Sequence, residues 1–182
     1  MVLISGPSGC GKSTIIQRLL SVPQVEFSVS ATTRPIRDGE VDGVDYHFLS
    51  KEEFRSRVED GAFIEWAEVY GNLYGTLRAP MEAAIQADRV FLVEIDVQGA
   101  LQLRALGEEG VFVFIAPPSF EELQKRLVGR GTEAAEVIER RLKKAEDEYR
   151  ERVKYDHVVV NDDLDRAVAE VRSLAGIVEE NL

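Results

Sequence analysis

The chain has 182 residues, 45% of them apolar, which is enough for one sizeable hydrophobic core with a small insertion but not for two independent domains. Its 33 acidic and 22 basic residues give a net charge of −11, which disfavours binding to nucleic acid or to an anionic membrane surface. Because no apolar run reaches the roughly 20 residues of a membrane span and the N-terminus lacks the pattern of a signal peptide, we expect a cytoplasmic protein.

The first predicted elements are a strand, a turn and a helix. The apolar run Val2 to Ile4 is followed by a glycine-rich turn and then by an amphipathic segment. Further apolar runs, each nearly continuous, follow at residues 90–93, 111–115 and 157–160. Such runs are typical of parallel strands that are buried on both faces. With helical patterns between and after them, they predict a doubly wound α/β fold with a parallel sheet.

Residues 27–80 have a different pattern, which predicts a small α+β insertion. An alternating strand is expected at residues 44–48, a helix capped by Ser50 comes next, and a second strand is expected at residues 63–69. On that second strand Glu65 and Trp66 face opposite sides, and we expect Trp66 to pack in the core. A glycine-flanked arginine and a long polar helix occupy residues 129–153.

The turn after the first strand carries the sequence GPSGCGKS at residues 6–13, which satisfies the Walker A pattern in the strand-to-helix context that this pattern requires. Glycines allow successive backbone N–H groups to surround a phosphate, and the following helix adds the positive end of its dipole. Lys12 is expected to neutralise the β- and γ-phosphates of ATP, and Ser13 to bind magnesium. The predicted ATP-binding residues here are Gly6, Pro7, Ser8, Gly9, Cys10, Gly11, Lys12, Ser13 and Thr14.

Metal and redox chemistry independent of this loop is disfavoured by the residue counts. The single cysteine, Cys10, excludes an intrachain disulfide, and the two histidines are far apart in sequence. We interpret Cys10 as a small filler residue of the loop; the alternative is a thiol whose pKa the helix N-terminus lowers. Any metal should therefore arrive with a phosphate substrate.

A second phosphate-binding pattern lies in the insertion, where Arg34 and Arg37 stand three residues apart beside a proline turn. Arginine guanidinium groups grip phosphate oxygens with planar pairs of donors. This pattern combines with six others: GEVDGVDY at 39–46, FIEW at 63–66, GNLYGT at 71–76, EIDVQG at 94–99, RGT at 130–132 and VNDD at 160–163. Together they cover essentially the whole chain, which closely resembles the guanylate kinase family.

The resemblance implies a P-loop NTPase fold and a phosphotransferase that converts ATP and GMP to ADP and GDP in purine nucleotide metabolism and GMP recycling, with Mg²⁺ accompanying ATP. It implies a core of residues 1–26, 81–128 and 154–182, a GMP-binding insertion of residues 27–80 and a helical lid of residues 129–153. Acceptance of dGMP and the oligomeric state stay open. A catalytically inactive scaffold of the same fold is disfavoured by the intact Walker A lysine, and a kinase for another acceptor by the full set of guanine-pocket residues.

The resemblance also implies site residues for the acceptor. Arg34, Arg37, Tyr46 and Tyr74 would hold the GMP phosphate, while Ser30, Glu65, Thr76 and Asp96 would line the guanine pocket. Guanine has donors at N1 and at its 2-amino group, so a carboxylate such as that of Glu65 suits it and does not suit adenine. From the residues alone, the alternatives are that Tyr46 and Tyr74 merely cover a small core and that Glu65 faces solvent.

On the donor side, the resemblance assigns Arg130 and Arg141 to the lid, where they would join Lys12 and Arg34 as catalytic residues, and Asn161 to the adenine contacts of ATP. Positioning and charge neutralisation carry most of the catalysis in phosphoryl transfer, so arginines on a movable segment fit this role. For the neighbouring Arg140 we favour a solvated salt bridge. Whether Glu94 or Asp96 serves the magnesium ion stays open.

Overall fold

The structure is a computed structural model that describes residues 1–69, 71–128 and 135–177. The strands are β1 Val2–Ser5, β2 Val25–Phe27, β3 Ala31–Thr32, β4 His47–Phe48, β5 Phe63–Val69, β6 Asn72–Leu77, β7 Val90–Glu94, β8 Val111–Ala116 and β9 His157–Val160. The helices are α1 Lys12–Leu19, α2 Lys51–Glu59, α3 Arg78–Gln86, α4 Val97–Ala105, α5 Phe120–Val128, α6 Ala135–Arg150 and α7 Leu164–Leu174, with a short 3₁₀ helix, Glu151–Lys154, after α6. Among these described helices none has the length and apolar composition that a membrane span requires.

The central sheet is parallel and has the strand order β2-β7-β1-β8-β9. Its side chains alternate between two buried layers: in β1, Val2 and Ile4 face helices α1 and α7, whereas Leu3 faces α3 and α4. Since both faces of the central strands are covered, their sequences are continuously apolar. The predicted doubly wound α/β fold is therefore confirmed.

The two edges of this sheet differ from the sequence-based expectation. Residues 157–160 were predicted to be buried on both faces, but β9 ends the strand order and its Val158 and Val160 are 40% exposed. An apolar run alone does not distinguish a central strand from an edge strand. At the other edge, the short strand β2 was not predicted, and its Phe27, assigned from the sequence to the insertion, pairs with Leu92 of the central sheet.

A smaller sheet of order β4-β3-β6-β5 and helix α2 form the insertion. The Ser50 cap is present as a capping box: the Glu53 amide donates to the Ser50 hydroxyl at 3.1 Å, and the Ser50 amide donates to the Glu53 carboxylate at 2.9 Å. The strand predicted at residues 44–48 is reduced to its last two residues. The reason is a turn in which the Val41 amide donates to the Asp45 carboxylate at 2.8 Å.

The insertion has a small hydrophobic core of its own. The Phe54 and Phe63 rings stack with their centroids 4.4 Å apart, and Ala31 and Leu73 are buried beside them. Gly75 is required here, because a Cβ atom at this position would lie 2.8 Å from the Phe63 ring and 3.1 Å from the Phe54 ring. A glycine thus allows β6 to pass directly over the stacked rings.

Trp66 does not pack in this core, contrary to the prediction. Its side chain is 44% exposed, while Glu65 on the opposite face of β5 is only 8% exposed. The alternation of the strand was predicted correctly, but the face that carries Trp66 is turned to solvent. The buried face of β5 at this point is polar because it turns towards the central sheet and the cavity described below.

Helix α6 packs against α5 through Ala145 and Leu123. The Tyr149 ring also contacts Phe120, with ring centroids 5.2 Å apart in an edge-to-face arrangement. This packing sets α6 beside the turn that follows β1.

Candidate active site

The glycine-rich turn lies between β1 and α1, as the Walker A pattern predicted. Gly6, Gly9 and Gly11 have positive φ angles of 139°, 89° and 94°, which other residues rarely adopt. At Gly6 a Cβ atom would lie 2.2 Å from the Ile115 carbonyl oxygen, so the turn passes directly against β8. The turn therefore carries its backbone amides to the N-terminus of α1, and helix N-termini favour the binding of anions.

The Lys12 ammonium group lies inside this phosphate loop. Its Nζ atom donates to the Gly6 carbonyl at 2.7 Å and to the Pro7 carbonyl at 3.0 Å. From the other side, Nη2 of Arg141 on α6 donates to the Ser8 hydroxyl at 2.6 Å. The structure therefore brings Arg141 of the long polar helix to the loop, while its contact with the ATP phosphates stays a prediction.

Asn161 also reaches the loop. Its side chain is 7% exposed, and its Nδ2 atom donates to the Cys10 carbonyl at 2.8 Å. A Cβ atom at Gly11 would lie 2.2 Å from that Nδ2 atom, so only glycine fits at position 11 beside the Asn161 side chain. The Asn161 amide thus holds the loop backbone in place, a role that was not predicted from the sequence. The expected contact of Asn161 with adenine stays a prediction.

Cys10 itself is fully buried. Burial raises the pKa of its thiol, and the nearby Lys12 charge opposes this rise only in part. The alternative of a thiol with a lowered pKa is therefore wrong. Cys10 is a small buried residue of the loop, as the favoured interpretation had it.

An acceptor cavity lies between the smaller sheet and the carboxyl end of β7. It brings together several predicted site residues: Ser30, Tyr46, Glu65, Tyr74 and Asp96. The remaining lining comes from Ala67, Val69, Gly75, Glu94 and Ile95. The cavity is therefore apolar along one side of β5 and polar where the predicted residues converge.

Glu65 is the buried carboxyl group among the residues that line this cavity. The Thr76 hydroxyl, 1% exposed, donates to Glu65 Oε1 at 2.6 Å. Burial raises the pKa of Glu65, and the hydrogen bond from Thr76 opposes the rise. Gly99 leaves room for this carboxylate, since a Cβ atom there would lie 3.3 Å from Oε2. The solvent-facing alternative for Glu65 is thereby excluded.

Arg34 lies beside Tyr46, one of the residues that line the cavity. Its Cζ atom is 5.6 Å from the centroid of the Tyr46 ring, and the Tyr46 and Tyr74 ring centroids are 6.1 Å apart. The hydrogen bond to Glu40 raises the pKa of the Arg34 guanidinium, and Tyr74 contributes in the same direction. The Arg37 side chain is exposed, and neither arginine is among the residues that line the cavity.

A second cavity covers the phosphate loop and adjoins the first. Tyr46, Glu94, Ile95 and Asp96 line both of them. On its far side the second cavity is lined by Lys144 and Glu148 of α6, whose side chains are 3.5 Å apart at Nζ and Oε1. Neither residue was predicted from the sequence, although their spacing from Arg141 places them on the same helix face.

Glu94, the last residue of β7, and Asp96, which precedes α4, have different surroundings. Burial raises the pKa of Glu94, while the Lys12 charge and a hydrogen bond from Ser13 oppose the rise. Asp96 instead caps α4, since its Oδ1 atom accepts the Gly99 amide at 2.8 Å. Within the described ranges no group of three or more His, Cys, Asp or Glu side chains is arranged to hold a metal ion. Arg130, the remaining predicted residue, lies outside the described residues.

Known proteins resemble this chain over almost its whole length. The chain matches the family model described as "Guanylate kinase" over residues 1–177. Guanylate kinase from Syntrophotalea carbinolica is 50% identical over 175 residues, covering 96% of this chain and 83% of that protein. Guanylate kinase from Parasynechococcus marenigrum is 48% identical over 178 residues, covering 97% of this chain and 98% of that protein. The crystal structure of guanylate kinase from Anaplasma phagocytophilum superposes with a TM-score of 0.77 at 35% identity, covering 100% of this chain and 86% of that one.

Proposed function

The chain belongs to the guanylate kinase family and has its P-loop NTPase fold, so it transfers a phosphoryl group from ATP to GMP, and we propose how its two adjoining cavities divide that reaction. ATP binds over the phosphate loop, and GMP binds in the acceptor cavity. The observation that carries this proposal is the wall that both cavities share, formed by Tyr46 and residues 94–96. Because the two cavities adjoin along these residues, substrates bound in them can meet end to end, as direct transfer between them requires.

Guanine is recognised by Glu65, with Ser30, Thr76 and Asp96 around it. An ionised Glu65 accepts hydrogen bonds from N1–H and the 2-amino group, which adenine does not offer in the same places. The buried carboxylate would be left without a partner by the wrong base, and such a loss costs about 1–3 kcal/mol. The burial of Glu65 and its bond to Thr76 support this assignment.

The GMP phosphate is held by Arg34, Arg37, Tyr46 and Tyr74. The two tyrosines line the acceptor cavity, and Arg34 contacts the ring of one of them, Tyr46. Arg37, whose side chain is exposed, would have to turn inward to take part.

On the donor side, residues 6–14 bind the ATP phosphates, and the charges of Lys12 and Arg141 neutralise the phosphoryl group as it moves. The contact of Arg141 with the loop supports its part in this. Arg130 belongs to the same proposal through the family resemblance. Asn161 contributes to ATP binding by holding the loop, in addition to any contact with adenine.

The expected magnesium ion fits the residues at the loop. Mg²⁺ prefers oxygen ligands and commonly combines one or two protein groups with phosphates and waters. The Ser13 hydroxyl and, directly or through water, the Glu94 carboxylate are the oxygen ligands that we propose, since Asp96 is engaged in capping α4. When bound, the ion would offset negative charge on the transferring phosphoryl group.

We further propose that the insertion, residues 27–80, and the lid, residues 129–153, close towards the phosphate loop when both substrates bind. Closure would exclude water, which otherwise competes with GMP as acceptor. A bisubstrate analogue should therefore reduce the radius of gyration in small-angle X-ray scattering, and an unchanged profile at saturation would contradict closure. The expected cytoplasmic location and a role in GMP recycling stay predictions.

The proposal is tested by measuring ADP formation from ATP and magnesium with GMP, dGMP, AMP, UMP or CMP as acceptor. We expect activity with GMP to exceed that with AMP by at least about a hundredfold. The Lys12→Ala variant, purified identically, is the control for contaminating ATPases. Equal activity with GMP and AMP would remove the proposed guanine site, and the dGMP rate would measure how far the ribose 2′-hydroxyl matters.

A further inference from the structure

Glu40 holds Arg34 by two parallel hydrogen bonds. Nη2 of Arg34 donates to Glu40 Oε1 at 2.7 Å, and Nη1 donates to Oε2 at 3.0 Å. The two side chains are only 11% and 19% exposed. Paired bonds of this kind set both the position and the plane of a guanidinium group.

Two further hydrogen bonds extend this arrangement along the loop. Nη1 of Arg34 also donates to the Pro35 carbonyl at 2.7 Å, and the Arg37 amide donates to Glu40 Oε2 at 2.8 Å. Glu40 thus links the backbone of Arg37 to the side chain of Arg34, and both arginines are candidate ligands of the phosphate. Gly39, with a φ of 86°, allows the turn that brings Glu40 back towards Arg34.

The bonds to Glu40 and Pro35 use one edge of the guanidinium and the remaining Nη1 hydrogen. A guanidinium has five N–H donors in a planar fork. The donors that these bonds leave are Nε–H and the second Nη2 hydrogen, which lie side by side on the other edge. Tyr74, itself a proposed ligand of the phosphate, is a further hydrogen-bond partner of the guanidinium. A phosphate can accept two parallel hydrogen bonds from such an edge.

We infer that Glu40 is a positioning residue, which turns the Nε/Nη2 edge of Arg34 towards the phosphate of the acceptor nucleotide. The inference rests on the proposed role of Arg34 as a ligand of that phosphate. Glu40 has no contact with the substrate in this arrangement and acts through Arg34.

The contrary interpretation is that Glu40 competes with the acceptor phosphate for Arg34. The two interpretations predict opposite changes in the affinity for GMP when Glu40 is removed. If Glu40 competes, its removal frees the arginine and takes away a repelling negative charge, so GMP should bind more tightly. If Glu40 positions Arg34, its removal leaves a mobile guanidinium and GMP should bind more weakly.

The test compares Glu40→Gln with the matched control Glu26→Gln, which removes the carboxylate of another ion pair, Arg89–Glu26 at 2.8 Å, on the core sheet. We expect Glu40→Gln to raise KM for GMP about tenfold with little change in KM for ATP. Glu26→Gln should change neither. Circular dichroism and the melting temperature of both variants check that they fold.

A binding measurement with guanosine separates positioning from general damage to the insertion. Guanosine carries the same base and ribose but no phosphate, so Glu40→Gln should leave its dissociation constant unchanged while weakening GMP. Equal weakening of guanosine and GMP, an unchanged KM for GMP, or a lowered KM for GMP would each overturn the inference.

The variant Arg34→Ala distinguishes failure of this inference from failure of the function beneath it. A large rise in KM for GMP in Arg34→Ala, with no change in Glu40→Gln, would refute positioning and keep the proposed phosphate site. No change in Arg34→Ala would refute both. In the double variant, positioning predicts that Glu40→Gln adds nothing further once Arg34 is absent.

Discussion

Replacing Thr76 with valine tests whether guanine recognition depends on an ionised Glu65. Valine has nearly the same shape as threonine but lacks the hydroxyl that donates to Glu65 Oε1 at 2.6 Å. Burial already raises the pKa of Glu65, and this hydrogen bond opposes the rise. The substitution removes the opposing effect, so the carboxyl group should ionise less readily.

The size of the effect follows from the bond that is lost. A hydrogen bond to a charged group contributes about 1.5–3 kcal/mol, and about 1.4 kcal/mol corresponds to one pH unit of a titration. Activity needs the ionised form and is lost as the pH falls. In Thr76→Val the loss of kcat/KM for GMP should therefore begin about one to two pH units higher than in the wild-type protein.

The assay is kcat/KM for GMP at saturating ATP and magnesium from about pH 5 to about pH 9. Thr76→Ser keeps a hydroxyl and is the matched control, whose acid limb should stay near the wild-type position. If Thr76 instead contacts the base directly, Thr76→Val lowers kcat/KM equally at every pH. An acid limb that does not move would refute the reasoning about Glu65.

Other substitutions probe the remaining site residues. Lys12→Ala should lower kcat at least about a hundredfold with an unchanged circular dichroism spectrum, because its charge serves the transferring phosphates; near-normal turnover excludes that role. Arg141→Ala should lower kcat about a hundredfold, whereas Arg140→Ala, an exposed residue on the same helix, should change it less than about threefold; equal effects would contradict a specific contact with the phosphates. Glu65→Gln should lower kcat/KM for GMP about tenfold. Because the folded-state pKa of Glu65 is raised, its ionised form destabilises the fold above the unfolded-state pKa. The melting temperature of Glu65→Gln should therefore exceed that of the wild-type protein at about pH 8 and not at about pH 4. An equal change at both pH values would refute this linkage.

The elements that the sequence predicted best are those with local causes. The phosphate loop follows from the backbone freedom of its glycines and from the helix that begins at Lys12. The capping box at Ser50 depends on two residues three positions apart, and β5 was predicted with its observed bounds. Such signals are contained in a few consecutive residues, so the sequence alone expresses them.

The features that were missed depend on what packs against a residue. Trp66 was placed in the core because it lies on the opposite strand face from Glu65, yet only the Glu65 face of β5 is buried at this point. Nothing near Glu40 in the sequence indicates that its carboxylate holds Arg34. Lys144 and Glu148 belong to a polar helix face whose position over the loop depends on the packing of α6 against α5. Tertiary contacts of this kind have no local signature.

The separate small core beneath the acceptor cavity implies that this part of the protein can open while the central sheet stays intact. Phe54, Phe63 and Leu73 bury less apolar surface than the two layers on the central sheet, so amide hydrogens of β5 and β6 should exchange with solvent at a lower cost than those of β1. A nucleotide bound between the two regions stabilises only the closed form and lowers the open fraction by mass action. The concentration of GMP would thereby set the open fraction of the insertion, and with it the rate at which a protease cleaves this part of the protein.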